Sequence, residues 1–281
     1  MNWTYKIENR EKNFKNFFLD IFEKKNLFSE IIKKDLKTNF AQSLVGPGYL
    51  FLIPFIQALI FNFLLSNVAN VNFSGEIPNY LFYLSGFIFW SLFSNGALRG
   101  SQGIINNIKL IQQISIPRTI FIISPIIYNF IVFLVSFSIF VVFNIIFILK
   151  TDFTISISIR FFIIFPLIVY CLFLSLAYAL TVASLSIRYR DIVYANSIII
   201  QILMVISCVL YSSGNLTGYF SHILYINPLT LIAETFRWAW FGSDFGITLN
   251  QIISQLIISF ALFISSIKLF LHKDKMMVDL I

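Results

Sequence analysis

The stretch LSIRYRDIVYANS, residues 185–197, places two arginines and an aspartate between two long apolar runs. The runs on either side, 161–187 and 192–211, are each about as long as the ~20 residues that cross a ~30 Å hydrocarbon core. A charged link of so few residues leaves room only for a tight turn. The stretch therefore predicts two membrane-spanning helices joined by a short turn.

The composition of the whole chain supports a membrane fold. Of its 281 residues, 58% are hydrophobic and only 12% are charged, and the mean hydropathy is +0.84. Soluble domains carry about twice that charged fraction. We predict an all-α integral membrane protein with six transmembrane helices at 48–68, 80–98, 119–149, 161–187, 192–211 and 247–270.

The basic residues predict the orientation of the chain. Seventeen of the twenty Lys and Arg residues fall before the first span, after the second, in the link at 188–190 or in the tail. The opposite loops hold Lys150, Arg160 and Arg237. Because basic residues are enriched in cytoplasmic loops, we expect both termini in the cytoplasm. The net charge of +7 then needs no nucleic acid as a partner.

The first 43 residues are predicted to form a cytoplasmic segment ahead of a membrane domain at 44–281. Between residues 14 and 40, apolar residues recur at steps of three and four with charged residues between them. This pattern predicts an amphipathic helix. Such a helix lies in the membrane interface, and docking of a cytoplasmic partner is an additional role that fits the same pattern.

Two further helices are predicted in the loops. The polar stretch 99–118 has isoleucines at helical spacing and a stop at Pro117, which favours a short cytoplasmic helix. Outside, 212–246 holds aromatic pieces too short to span, with Asn227 as the N-cap and Pro228 at the first position of a helix. We predict an outer re-entrant helical hairpin before the last span. The alternative is an external loop anchored at the interface by its tryptophans.

The spans lack the groups that catalysis or ion coupling needs. They contain no Asp, Glu, Lys or Arg apart from Lys268 at the end of the last span, and ion-coupled carriers normally bind their ions at such groups. The chain has two histidines, two cysteines inside spans and no P-loop motif. We therefore expect no catalytic residue, metal site or cofactor in this chain, and any energy must come from another polypeptide.

A resemblance to a known family rests on four stretches: SLVGPGYLFLIP from Ser43, SIPRTIFIIS from Ser115, LSIRYRDIVYA from Leu185 and INPLTLIAETFRWAWFG from Ile226. With the topology above, the chain resembles the permeases of ABC type-2 transporters, in the branch that exports O-antigen, capsule and teichoic acid. The resemblance implies a homodimer that works with two copies of an ABC ATP-binding subunit, which holds ATP and Mg. It also implies export of a lipid-linked glycan, of the O-antigen or lipopolysaccharide type, across the bacterial cytoplasmic (inner) membrane.

The resemblance also assigns residues that couple the chain to the ATPase. The helix around residues 106–113 is expected to be the larger contact, and the turn at Arg188 the smaller one. A purely topological role for that turn is the alternative. The predicted coupling set comprises Lys33, Lys34, Asn106, Lys109, Gln113, Arg188, Tyr189, Arg190 and Asp191.

The path of the polysaccharide is expected to be aromatic, because sugar rings stack weakly on aromatic faces and charges would trap them. We expect it on the first and fifth spans, facing a second copy, at Tyr49, Phe51, Phe55, Tyr194 and Tyr211. An outer gate is expected at Asn227, Pro228, Glu234 and Arg237, and the last two are within pairing distance on one helix.

Two other functions fit the same sequence. One is an ABC type-2 exporter of a small drug or a lipid. The other is a membrane assembly factor without transport activity. Neither alternative changes the predicted fold.

Overall fold

The computed structural model describes residues 24–40, 49–68, 78–113, 117–150, 159–189, 191–215, 218, 222, 226–243 and 246–277. Within these residues the regular structure is helical and no strand occurs, which confirms the all-α class. The helices are α1 (Lys25–Phe40), α2 (Tyr49–Phe61), α3 (Asn79–Asn106), α4 (Ile108–Gln113), α5 (Thr119–Lys150), α6 (Ile164–Ser186), α7 (Asp191–Ile206), α8 (Pro228–Phe241) and α9 (Leu249–Met277). A π-helical segment, Asn62–Val68, continues α2, and a 3-10 turn, Ile159–Ile163, leads into α6.

Four apolar stretches are long enough to cross a membrane, and they coincide with four of the six predicted spans: Asn79–Asn106, Thr119–Leu149, Ile159–Ser186 and Leu249–Asp274. The other two predicted spans contain shorter apolar helices, Phe51–Ser66 and Asp191–Ile206. At 1.5 Å per residue, the 16 residues of α7 measure about 24 Å, less than a ~30 Å core. Length thus supports four spans, and the six-span topology stays a prediction.

Helix α3 occupies the centre of the bundle. It packs against α2, α5, α6, α7 and α8, and its residues 81–90 are all buried. Between α3, α5 and α8 the Phe89 ring contacts Phe133 and Phe236, with centroids 5.3 Å and 4.4 Å apart. Because lipid is as apolar as these rings, close packing rather than exclusion of water holds such helices together.

Helices α3 and α5 approach each other closely at Gly103. A Cβ at this position would overlap the carbonyl of Phe121, so a larger residue does not fit. That carbonyl has no helical donor, because Pro125, four residues further on, has no N–H. Pro125 nevertheless lies within an uninterrupted α5. The contact fixes the start of α5 against the end of α3.

The predicted amphipathic helix is present as α1, and the part of the prediction before residue 24 lies outside the described residues. Helix α1 packs on α5, and its Asp35 is half-buried. Burial raises the pKa of Asp35, while the charges of Lys34 and Arg99 lower it in part. Because Arg99 belongs to the C-terminal half of α3, helix α1 lies at that end of the bundle.

Candidate functional sites at the two ends of the bundle

Two polar elements project from the end of the bundle where α3 finishes. Helix α4 follows the turn at Asn107, whose side-chain amide donates to a carbonyl one turn earlier at 2.8 Å, and none of the α4 side chains is buried. The second element is the turn between α6 and α7, where Arg188 and Tyr189 are exposed and stack with 5.4 Å between guanidinium and ring centroid. Asp191 opens α7, where its negative charge interacts favourably with the helix dipole. Arg190 is not among the described residues.

The remaining members of the predicted coupling set lie in α1, α3 and α4. All are exposed: Lys33, Lys34, Asn106, Lys109 and Gln113. Lys33 donates to Glu30 at 2.9 Å, and an exposed pair of this kind contributes little stability. The set as described therefore forms an accessible polar surface at one end of the bundle, with four basic residues and one acidic residue.

A buried hydrogen-bond network connects α3, α6 and α7, the three helices from which the two projecting elements extend. The Tyr178 hydroxyl donates to Asn196 Oδ1 at 2.6 Å, and Asn196 Nδ2 donates to Ser101 Oγ at 2.8 Å. These residues belong to α6, α7 and α3, and Asn196 is fully buried. Sequence reasoning missed the network, although an asparagine in an otherwise apolar run was a visible signal. The network ties the start of α7 to α3, five residues before α3 ends.

An ion pair closes the same end of the bundle. Arg118 Nη1 lies 2.6 Å from Asp274 Oδ1 and donates to the Asp274 carbonyl at 2.9 Å. Asp274 is 2% exposed, so both charges are largely removed from water. The pair joins the residue before α5 to the last turns of α9. It was also missed, because the two residues are 156 positions apart in the chain.

The opposite end of the bundle is organised around Arg237. Its guanidinium donates to the carbonyls of Cys208 at 2.8 Å and Val209 at 2.7 Å, and to Glu234 Oε1 at 3.1 Å. It also lies 3.5 Å from the centroid of the Phe82 ring. Arg237 and Glu234 are 2% and 4% exposed. A single buried cation thereby binds α3 and the segment after α7 to α8.

The carbonyls that Arg237 binds belong to the turn that ends α7. The last carbonyls of a helix have no partners within the helix and need donors from elsewhere. Cys208 has a φ of 53°, a left-handed conformation that stops the helix. Asn227 Nδ2 donates to the last carbonyl of α7, Ile206 O, at 3.3 Å, and Arg237 holds the turn that follows the helix through the carbonyls of Cys208 and Val209. This turn explains why α7 is shorter than the predicted span 192–211.

Glu234 and Gly86 complete the surroundings of Arg237. Ser213 donates to the Glu234 carboxylate from its hydroxyl at 2.9 Å and from its backbone N–H at 3.3 Å. A Cβ at Gly86 would lie 2.8 Å from Arg237 Nη2 and 2.8 Å from Val209 O. Both distances are shorter than contacts tolerated by a side chain, so the site requires glycine on α3.

Helix α8 begins as the sequence predicts. The Asn227 side chain accepts from the Leu229 N–H at 3.0 Å, and Pro228 occupies the first helical position. Asn227 Nδ2 also donates to Ser207 Oγ at 3.0 Å, just beyond α7. Nearly all α8 side chains are buried, so residues 228–241 do not form an irregular external loop. The four residues predicted as an outer gate thus meet at the contact between α8 and the end of α7.

The residues of the predicted aromatic path differ in their burial. Phe51 is 7% exposed and stacks on Phe55 with centroids 5.6 Å apart, and Phe55 in turn contacts Phe143 of α5. Tyr194 is 79% exposed on α7, and Tyr211 is half-buried. The side chain of Tyr49 is not described. Within one chain these rings do not converge on a common surface.

Taken together, the long apolar helices, the two exposed polar elements at one end and the buried charge cluster at the other are typical of a multi-pass membrane protein. The sequence profile of ABC-2 type transporters matches residues 26–241. The chain therefore belongs to the ABC-2 type transporter family, whose members are transport subunits of the membrane.

Two curated relatives have the same name, O-antigen export system permease protein RfbA, and both come from Klebsiella pneumoniae. One is 26% identical to this chain over 214 residues, and the other is 24% identical over 213 residues. Each alignment covers 75% of this chain and 79% of the relative. The similarity thus extends over most of both proteins.

Proposed function

We propose that the chain is the permease subunit of an ABC exporter that moves lipid-linked polysaccharide outward across the bacterial inner membrane. The observation that carries this proposal is the similarity to two O-antigen export permeases over three quarters of the chain. The uncharged apolar helices support it as well, since they offer a neutral sugar chain few groups that would trap it. The cargo is then a glycan of the O-antigen, capsule or teichoic acid type.

Energy would come from two copies of a separate ATP-binding subunit, which would hold ATP and Mg. Helix α4 and the turn at Arg188 would contact this subunit, with Lys33 and Lys34 of α1 at the margin. Two features support this assignment: these elements are exposed at one end of the bundle, and the Ser101–Asn196 hydrogen bond connects α3 to α7 just behind them. A push on α4 would therefore also reach α7.

The topology follows from the charge distribution. We propose six spans, with α2 and α7 as the short ones, and both termini in the cytoplasm together with α4. Helix α8 would form the second arm of an outer re-entrant hairpin, because its 14 residues measure about 21 Å and are buried among the other helices. Asn227, Pro228, Glu234 and Arg237 would shape the outer exit by holding that arm in place.

A second copy of the chain would complete the polysaccharide path. The side chains of α7 are mostly exposed, with Asn196 and Ile200 as its buried residues, and Tyr194 stands on its open surface. In a homodimer, the α7 surfaces together with the α2 helices would enclose the path. Tyr194 and Tyr211 would contact sugar directly, whereas Phe51 and Phe55 would support the wall from behind.

The test is deletion of the gene in its native bacterium. Surface polysaccharide should disappear while lipid-linked chains accumulate inside the cell, and the wild-type gene should restore export. A drug exporter would instead leave surface polysaccharide unchanged and alter sensitivity to its drug. Normal surface polysaccharide in the deletion strain would refute the proposal.

A further inference from the structure

A groove runs between α6 and α9 at the end of the bundle that holds α8. It consists of two adjoining cavities of about 510 Å³ and about 400 Å³. Pro166, Tyr170 and Leu256 line both cavities, and the walls are almost entirely apolar. At one end of the groove, α8 contributes Thr235 and Trp238 to the larger cavity. None of the lining residues belongs to α2 or α7, where the polysaccharide path is proposed.

The dimensions of the groove match one lipid chain. Along α6 and the end of the turn before it, the lining residues run from Ile163 to Phe173, which at 1.5 Å per residue is about 15 Å. Half of a ~30 Å hydrocarbon core is the same length. A sugar would leave its hydroxyls without partners against such walls, at a large cost in free energy. An acyl chain from one leaflet fits both the length and the chemistry.

A cation lies next to the end of the groove that α8 lines, through its contact with Trp238. Arg160 is exposed in the turn before α6, and its guanidinium lies 5.0 Å from the centroid of the Trp238 ring. Within the described part of the chain, no carboxylate forms an ion pair with Arg160. Tryptophan is enriched where the hydrocarbon meets the lipid headgroups, and an arginine held there is well suited to bind phosphate.

A buried hydroxyl provides a second polar contact between the cation and the groove. Thr235 is 8% exposed and lines the larger cavity. Its Oγ1 has no hydrogen-bond partner among the described residues. A buried hydroxyl without a partner is unfavourable, and the ester carbonyl at the top of an acyl chain would accept its hydrogen.

We propose that this groove binds one anionic phospholipid of the surrounding bilayer. One acyl chain lies between α6 and α9, an ester carbonyl accepts from Thr235, and the phosphate pairs with Arg160. The lipid would fill the groove between α6, α8 and α9 and so brace α8 against the long helices. The inference concerns a site outside the proposed transport path and does not depend on the cargo.

The experiment uses the full chain in phosphatidylcholine nanodiscs with a trace of spin-labelled phosphatidylglycerol or phosphatidylcholine. The motionally restricted fraction of each label measures its association with the protein. We expect phosphatidylglycerol to be preferred about fivefold, which corresponds to about 1 kcal/mol for one basic group near the membrane surface. R160Q should reduce the ratio of phosphatidylglycerol to phosphatidylcholine association to about one, whereas R160K should retain the fivefold preference. The matched control K150Q removes a charge that the sequence assigns to the same side, and should leave the preference unchanged.

A second set of variants tests the groove itself. L256W should fill it and lower the association of both lipids, whereas L262W, at an exposed leucine of α9 that lines neither cavity, should not. T235V should weaken the association of both lipids equally, because both have ester carbonyls. Equal association of the two lipids with the wild-type chain would overturn the proposal. The proposal would also be overturned if R160Q and K150Q showed the same preference for phosphatidylglycerol, or if L256W bound both lipids as the wild-type chain does.

Discussion

Replacement of Arg237 by methionine tests whether this residue holds α8 to the rest of the bundle. Methionine keeps the length and apolar stem of the side chain but removes the charge and all its donors. Glu234 would then be a buried carboxylate without its cation, and the carbonyls of Cys208 and Val209 would lose their donors. Every one of these changes destabilises the folded chain.

The size of the effect follows from the burial of the pair. Removal of one partner of a buried ion pair costs about 3–5 kcal/mol. The lost carbonyl contacts involve the same guanidinium, so we do not add them to this figure. For a chain of this size, 1 kcal/mol changes the midpoint of unfolding by about 2–4 °C. R237M should therefore lower Tm by about 6–20 °C.

Thermal unfolding of the purified chain in one detergent, at one scan rate, measures this change. K109Q is the control for loss of an exposed basic residue, and its Tm should stay within about 1 °C of wild type. The double variant E234L/R237M leaves no unpaired buried charge, so it should be more stable than R237M alone. If R237M unfolds within about 2 °C of wild type, or if the double variant is the less stable one, the assigned role is wrong.

Three further predictions concern the other end of the bundle and the topology. Alanine at both Arg188 and Asp191 should lower export at least about tenfold while leaving membrane insertion intact, as judged by the amount of chain in the membrane; normal export would exclude coupling through this turn. N196L should lower export and lower Tm by about 2–12 °C, because about 1–3 kcal/mol is lost when its buried partners are left unpaired, whereas N196Q, which retains the amide, should recover part of the lost export; equal export by both variants would exclude the hydrogen bond as the cause. A cysteine replacing Asn107 should be protected from an impermeant thiol reagent in intact cells and one replacing Asn215 should react, and the reverse pattern would invert the topology.

Local chemistry was predictable from the sequence at the start of α8. An asparagine followed by proline satisfies the first free N–H of a helix and presets its first dihedral angle. Both effects involve only the three residues Asn227, Pro228 and Leu229. The spacing of Glu234 and Arg237 likewise predicted their pairing, which is present at 3.1 Å. Such features depend on neighbours in the chain, so the order of residues is enough to identify them.

Contacts between distant parts of the chain were not predictable in the same way. Arg237 binds carbonyls 28 and 29 residues earlier, and Arg118 pairs with a carboxylate 156 residues later. Hydropathy averages over a window and does not detect a single left-handed residue, so it extended α7 past the turn at Cys208. The requirement for glycine at Gly86 depends on the same long-range packing and has no signature in the neighbouring sequence.

The two networks act on the same pair of helices, α3 and α7. Asn196 binds the start of α7 to Ser101 near the end of α3. At the opposite end, Arg237 contacts Phe82 near the start of α3 and the carbonyls that follow α7. Polar contacts therefore hold α7 at both of its ends.

Between those two points the apolar contacts of α7 with the core are made by the buried Ile200 and the partly buried Leu203 and Met204. Helix α7 is thus tied to α3 at two points while its long apolar surface stays open. In the proposed transport subunit, this arrangement would let a displacement at α4 reach the surface that would face the cargo without repacking the core. Loss of either polar contact should uncouple that movement while the rest of the bundle remains folded.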